Sequence, residues 1–383
     1  MIKHAKRLDS VEEYYFSKKL REVSKMIALG EPVINMGIGS PDLYPSEKVI
    51  DEINSSLSDK VAHKYQSYQG IYELRQSISN FYKKYFNVEF NPDNEVLPLM
   101  GSKEGIMHIS LAFLNPGDEV LIPNPGYPTY LAVTKLVEAK PRFYNLSQEN
   151  NWFPNIEELE KSNLSKVRIM WINYPHMPTG ASANIKQFEQ LINFAKKNNI
   201  LIINDNPYSF ILNDNHTSLL SVDNSKEVAM ELNSLSKSFN MSGWRVGMLL
   251  GSLENISRVL KVKSNMDSGM FYGVQKGAIA ALNLDKSWFD KLNIIYTKRR
   301  ELIWKIADVL NCTYDKNSKG LFVWAKLPDE IKDSEKFIDY LLNEKKIFVA
   351  PGTIFGSKGE GYIRFSLCID ENKITEVLKR LEK

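Results

Sequence analysis

A lysine set among hydroxyl residues, with an arginine one short loop further on, is the part of this sequence best suited to chemistry. The run is Ser234-Leu-Ser236-Lys237-Ser-Phe-Asn-Met-Ser-Gly-Trp-Arg245-Val-Gly, so Arg245 follows Lys237 by eight residues. A lone lysine is ordinarily a solvated surface charge. One that follows an apolar strand is desolvated, its pKa falls, and its neutral amine becomes a nucleophile. Such an amine can form a Schiff base with an aldehyde. Arg245 and the hydroxyls of Ser234 and Ser236 can hold a phosphate dianion. Aldehyde and phosphate together suit pyridoxal 5'-phosphate. That cofactor also needs an acid opposite its pyridine nitrogen. Asp205, in Leu201-Ile-Ile-Asn-Asp205-Asn-Pro-Tyr208, is the candidate. An ionised carboxylate there keeps the ring protonated and able to accept electrons. Tyr208 is a candidate donor to the ring's phenolic oxygen.

These residues need a scaffold. From about Asn91 to Gly251, short apolar runs alternate with helical patterns; the runs include Glu119-Val-Leu-Ile-Pro, Arg168 to Asn173, Ile200 to Asn204 and Val228-Ala-Met-Glu-Leu. Between two of them Ile185, Phe188, Leu191, Ile192 and Ala195 fall on one helical face. Strands alternating with helices predict an α/β fold, a mostly parallel sheet covered on both faces. Ligands of such sheets sit outside the carboxyl ends of the strands, where Asn173, Asp205 and Ser234 fall. Gly101-Ser102-Lys103-Glu104-Gly105 opens a helical pattern, and backbone N–H groups at a helix start bind phosphate. Gly37-Ile-Gly39 lacks the surroundings of a dinucleotide fingerprint and suits a backbone contact to a carboxylate. Beyond about residue 275 the pattern becomes a long helix and short strands, a smaller α+β domain. The expected division is 1–30 as a segment packing on the small domain, 31–275 as the large domain, and 276–383 as interdomain helix and small domain. Arg364, on a strand of that small domain, is either a surface ion pair or a fork for a carboxylate.

Composition narrows the partners. The chain has 383 residues, 43% hydrophobic and 25% charged, with 49 basic against 46 acidic residues and a net charge of +3. That balance argues against nucleic acid or a membrane surface. No run approaches the roughly 20 apolar residues of a membrane span, and the N-terminus has no signal-peptide core, so the cytoplasm is expected. Cys312 and Cys368 read as unpaired thiols of a reducing compartment. The five histidines form no metal-ligand spacing, and no metal is expected.

Taken together, these motifs resemble the class I/II pyridoxal-phosphate aminotransferases of fold type I, from about Asn35 to Ser366. The resemblance implies a three-layer αβα large domain and residue roles. Gly39 and Arg364 would bind the substrate α-carboxylate, and Tyr15 and Asn265 would join them. Ser102 and Lys103 would add phosphate contacts, and Tyr127, in Pro123-Asn-Pro-Gly-Tyr127-Pro, would stack on the ring. Tyr65, in Tyr65-Gln-Ser-Tyr-Gln-Gly70, would reach the phosphate of a neighbouring subunit, which implies a homodimer with shared sites. Within the family the chain is similar to the LL-diaminopimelate aminotransferase-like branch through Tyr14-Tyr15-Phe16, Gly101-Ser-Lys-Glu-Gly and Lys263-Ser-Asn265-Met-Asp-Ser-Gly269. One position departs. The family reads Asn-x-Pro-x-Asn-Pro-Thr-Gly and this chain Asn173-Tyr-Pro-His-Met177-Pro-Thr-Gly180, so a donor to the phenolic oxygen is lost. An amino acid and a 2-oxo acid are the implied substrates, of aspartate/glutamate, diaminopimelate or aromatic type, in amino-acid biosynthesis. Leu260 stands where aspartate-specific relatives often carry an arginine. A β-lyase acting on a sulfur amino acid is the alternative, and a non-catalytic sensor a more distant one.

Overall fold

The structure is a computed structural model and describes residues 2–10 and 15–382. Its strands are β1 (Ile34–Asn35), β2 (Val96–Leu99), β3 (Glu119–Asn124), β4 (Lys140–Asn145), β5 (Val167–Ile172), β6 (Leu201–Asp205), β7 (Ala229–Ser234), β8 (Gly247–Leu250), β9 (Thr313–Tyr314), β10 (Phe322–Lys326), β11 (Ile347–Phe348), β12 (Ala350–Pro351) and β13 (Tyr362–Ser366). A seven-stranded sheet has the order β2-β8-β7-β6-β5-β3-β4. Its neighbours pair in parallel except around β8, which runs against both β2 and β7.

Alternation along β5 shows why three layers form. Met170 and Ile172 point into a core shared with Phe188, Leu191 and Ile192 of the helix Ile185–Asn198. Ile169 and Trp171 point into the opposite core, with Ile106 and Ile109 of the helix Ser102–Phe113. Successive side chains of a strand face opposite ways, so a sheet apolar on both faces must be covered twice. The helix Ile185–Asn198 is fixed at both ends by its own sequence. Asn184 and Gln187 form a reciprocal capping box, and Asn199 closes the helix in the left-handed conformation at φ 53°.

A third core belongs to the later part of the chain. The helix Lys286–Val309 buries Phe289, Leu292, Tyr296, Arg299, Ile303 and Ile306, a stripe at alternating spacings of three and four. It lies against a four-stranded antiparallel sheet of order β12-β13-β10-β9. Phe16 of the helix Tyr15–Ala28 stacks on Phe348 at 6.1 Å, and Val23 enters the same core. The buried Arg299 breaks the apolar stripe for a reason: it donates to Asp42 at 2.7 Å and Glu371 at 2.9 Å, tying the segment after β1 to the small domain. The carboxyl ends of β5, β6 and β7 therefore open toward the four-stranded sheet, with the segment 37–43 between them. Among the described residues no helix is long and apolar enough to cross a membrane.

Candidate active site

A cavity of about 190 Å³ lies at those strand ends, and Lys237, Asp205, Tyr208, Tyr127, Ser234 and Arg245 are among its walls. Ser234 ends β7 and accepts from Ser236 N at 3.1 Å, which starts the one-turn helix Leu235–Ser238 and turns Lys237 inward. Lys237 Nζ donates to Gly39 O at 2.6 Å. Burial lowers its pKa, and Arg364 and Arg245 push it the same way, against Cys368 and Asp205. The amine is thus biased toward the neutral, nucleophilic form.

Asp205, only 5% exposed, closes one end of the cavity. Its Oδ2 accepts from the Tyr130 hydroxyl at 3.0 Å, while Oδ1 is buried with no hydrogen-bond partner. Burial pushes the carboxyl up to about 7; Tyr130 and Lys237 pull it back. A buried acceptor left unmatched is rare and marks a place where a partner is missing. The protonated nitrogen of a pyridine ring supplies both the absent donor and the absent positive charge, which would restore the ionised carboxylate.

The other end is built for an anion. The helix Ser102–Phe113 starts with Gly101 at φ 87° and no side-chain cap, so its first N–H groups face the cavity. A Cβ on Gly101 would run into Arg245 Nη2, and one on Gly247 would lie 2.7 Å from Ser102 N. Both glycines therefore let the arginine and the helix start share one small space. The Ser234 and Ser236 hydroxyls lie 2.7 Å apart beside it, and Arg245 is held by donating to Ser242 O at 2.7 Å. Beneath the turn Glu104 accepts from Met100 N at 2.5 Å and meets His108 at 2.9 Å. Glu104, His108 and Asp267 come within 4.8 Å of one another, but buried Lys263 donates to both Asp267 oxygens at 2.8 Å, so the group is a charge-matched brace for the turn. Pyridoxal phosphate fits this arrangement at both ends.

Arg364 is buried beside the cavity, against its wall residue Met177. Its guanidinium lies between the rings of Phe322 at 4.0 Å and Phe355 at 4.7 Å, and it donates to Gly37 O at 2.7 Å and toward Met177 Sδ at 3.4 Å. A Cβ on Gly39 would come within 2.5 Å of the Phe322 ring, so only glycine lets the backbone pass. Tyr208 packs edge-on to Phe322 at 5.9 Å, and burial raises its pKa. Tyr127 stands edge-on to Tyr130 at 5.5 Å, and burial raises it too.

Two neighbours bear on the donor missing at Met177. Asn173 accepts from Met177 N at 2.7 Å and donates one amide hydrogen to Asp205 O, and its second N–H stays on a side chain that lines the cavity. His176 turns to Thr179 Oγ1 at 2.8 Å, and burial pushes it down to about 3. Among the expected residues Tyr65 is 91% exposed and lies outside the cavity. Asn265 is also exposed and donates to Lys261 O at 2.8 Å. Their segments adjoin, since a Cβ on Gly269 would come within 2.5 Å of Gln66 O. The Tyr15 side chain lies outside the described residues. Leu260 packs beside Gln69 and Val96, away from the cavity. Tyr130 was not foreseen. Asn173 was placed at the right strand end, and its double bonding was not.

The chain matches the family model described as aminotransferase class I and II over residues 31–381. It is 38% identical over 382 residues to an LL-diaminopimelate aminotransferase of Dehalococcoides mccartyi, covering 99% of this chain and 98% of that one. An LL-diaminopimelate aminotransferase of Aquifex aeolicus is 36% identical over 384 residues, with 100% and 99% covered. Substrate-bound BacF from Bacillus subtilis superimposes with a TM-score of 0.96 at 32% identity, covering 100% of this chain and 98% of that chain. With the lysine, the acid and the phosphate cradle assembled around one cavity, and likeness over the full length, the chain belongs to the class I and II aminotransferases, which depend on pyridoxal 5'-phosphate.

Proposed function

We propose that this aminotransferase works on LL-diaminopimelate as one of its two substrates, in amino-acid biosynthesis. The names of its full-length relatives support that choice. One observation carries the assignment of residues. Lys237, Asp205, Tyr208 and Arg245 meet at one cavity, and Arg364 is close enough to act on the charge of the lysine. Bound pyridoxal phosphate supplies an electron-accepting ring that lets the α-hydrogen of an amino acid leave as a proton. Asp205 would hold that ring's nitrogen protonated, Tyr208 would donate to its phenolic oxygen, and Tyr127 would stack on its face. Ser102, Lys103, Ser234, Ser236 and Arg245 hold the phosphate. Arg364 and the Gly39 backbone fix the substrate carboxylate. Lys237 Nζ, biased to neutrality by burial, takes the α-proton and returns it as general base and acid. Donor and acceptor share one lysine and one arginine, so they bind in turn with ping-pong kinetics.

The same reading makes the enzyme a homodimer. Tyr65 and Asn265, exposed on adjoining segments, serve the site of the second subunit, and Tyr15 is the further substrate contact that the family resemblance implies. The division near residues 30/31 and 275/276 goes with this reading, with the second boundary falling inside the helix Tyr272–Leu282 and β1 reaching across to pair with β11, and the two free thiols fit a cytoplasmic setting.

The test is an absorbance spectrum of the purified enzyme with single amino acids and no oxo acid. Conversion of the yellow band to the pyridoxamine band by LL-diaminopimelate is the expected result. Conversion by tyrosine or phenylalanine alone would move the assignment to an aromatic substrate. Ammonia released from cystathionine without conversion would make the chain a β-lyase.

A further inference from the structure

Glu231 sits in the middle of β7, wholly buried at 0% exposed, in a place where an apolar residue would be expected. Its carboxylate accepts from four neutral donors. Tyr82 OH at 3.0 Å and Asn206 Nδ2 at 3.2 Å reach Oε1; Asn204 Nδ2 at 3.1 Å and Leu219 N at 3.0 Å reach Oε2. The directions of these bonds are fixed by what the donors do elsewhere. Asn204 Oδ1 accepts from Tyr174 N at 2.9 Å, and Asn206 Oδ1 accepts from Ser209 Oγ, so both amides must turn their NH₂ groups to Glu231. The Tyr82 oxygen accepts from Asn233 Nδ2 at 3.0 Å, which leaves its proton for Glu231. An ionised carboxylate only accepts, so four converging donors suit the charged form, while burial pulls the other way and raises the Glu231 pKa.

The placement gives this cluster a purpose. Asn204 and Asn206 flank Asp205, and strand alternation turns them to one side and Asp205 to the other. On that other side Asp205 faces the cavity with Oδ1 unmatched. Asn204 also holds Tyr174 N, next to the Asn173 whose amide donates to Asp205 O. The geometry points to Glu231 as a positioning residue: a buried carboxylate that holds the side-chain amides of Asn204 and Asn206, the two neighbours of Asp205, and so aims the Asp205 carboxylate at the cofactor ring. The inference rests on Asp205 being the partner of the ring nitrogen. It adds a residue that touches neither cofactor nor substrate.

A double-mutant cycle tests it. Full-length enzyme is stripped of cofactor, and the affinities for pyridoxal phosphate, by visible absorbance, and for inorganic phosphate, by competition, are measured. The proteins are wild type, Glu231→Gln, Asp205→Asn and the double variant. Loss of the outer partner that orients a metal ligand typically costs about 10-fold to 100-fold, and the lower end of that range is taken for this organic site. The expected result is that Glu231→Gln weakens pyridoxal phosphate about 10-fold and phosphate less than about 2-fold, because the phosphate end does not use Asp205. In the Asp205→Asn background the same change should cost less than about 2-fold, the signature of residues that act through one another. Equal loss for both ligands, or additive losses in the double variant, would reduce Glu231 to general packing and overturn the proposal. If Asp205→Asn alone leaves the affinity unchanged, the role of Asp205 fails first. If Asp205→Asn weakens binding and Glu231→Gln does not, only the clamp fails. Should Glu231→Gln not fold, Asn206→Ala removes one arm of the clamp and takes its place in the cycle.

Discussion

The two ends of the cavity hold charge in opposite ways. At the ring end one carboxylate, Asp205, is buried with a single donor and an unmatched oxygen. At the phosphate end the charge is spread over a helix start, two hydroxyls and an exposed arginine. A dispersed anion site loses little when one contact is removed, because the others and the solvent compensate. A single buried acid has nothing to compensate for it. The comparison predicts a steep ranking of damage. Lys237→Ala, which removes the proton carrier itself, should lower turnover by about 10⁴-fold or more. Substantial remaining transamination would remove the lysine from its role.

Asp205→Asn should come next, lowering kcat/KM by about 10²–10³-fold, the usual cost of one electrostatic stabiliser at a reacting centre. The same variant sharpens the contrast through stability. The Asp205 carboxyl is raised from 3.8 to about 7 by burial. Folding therefore favours its neutral form, whose stabilising effect is full below about pH 4 and is lost as pH rises through about 7. Thermal melts of cofactor-free protein should show Asp205→Asn more stable than wild type at about pH 8, with the gap closing at about pH 4. A gap that widens in acid would mean that the carboxyl is not raised.

Smaller effects belong to the phosphate end. Gly101→Ala forces a left-handed backbone, at roughly 1–3 kcal/mol, and crowds Arg245, so cofactor affinity should fall about 10-fold. Ser236→Ala removes one neutral hydrogen bond among several and should cost less than about 10-fold. A larger loss from Ser236→Ala than from Asp205→Asn would invert the comparison. Met177→Asn returns a donor near the ring oxygen, and it should lower the pH midpoint of the bound cofactor's visible band. An unchanged midpoint, measured by spectroscopic titration, would show that the position does not face that oxygen.

What could be read beforehand was what is local. Lys237, Arg245 and the Gly101-Ser102 turn each lie in one run of sequence, where strand end, loop and chemistry adjoin. The parallel strands were legible because apolar runs alternated with helical stripes. The reversal of β8 was not. Gly247–Leu250 is a short apolar run like the others, and its direction follows from the tight turn that ends at Arg245. Nor could Tyr130 and Tyr82 be assigned, because they meet Asp205 and Glu231 across 75 and 149 positions of chain. Glu231 in Ala229–Ser234 reads like any polar residue on a strand with one wet face. Only the sheet's second layer makes that face dry.

The bond from Lys237 to Gly39 O ties the reacting residue to a strap of chain. The segment that carries Gly39 also holds Arg364 through Gly37 O, touches Ser242 through Ser40 and is anchored to Arg299 through Asp42. One amine cannot serve both this carbonyl and an aldehyde. A lysine committed to bound pyridoxal phosphate would therefore leave Gly39 O without this donor, and residues 37–43 would keep only their contacts to Arg364, Ser242 and Arg299.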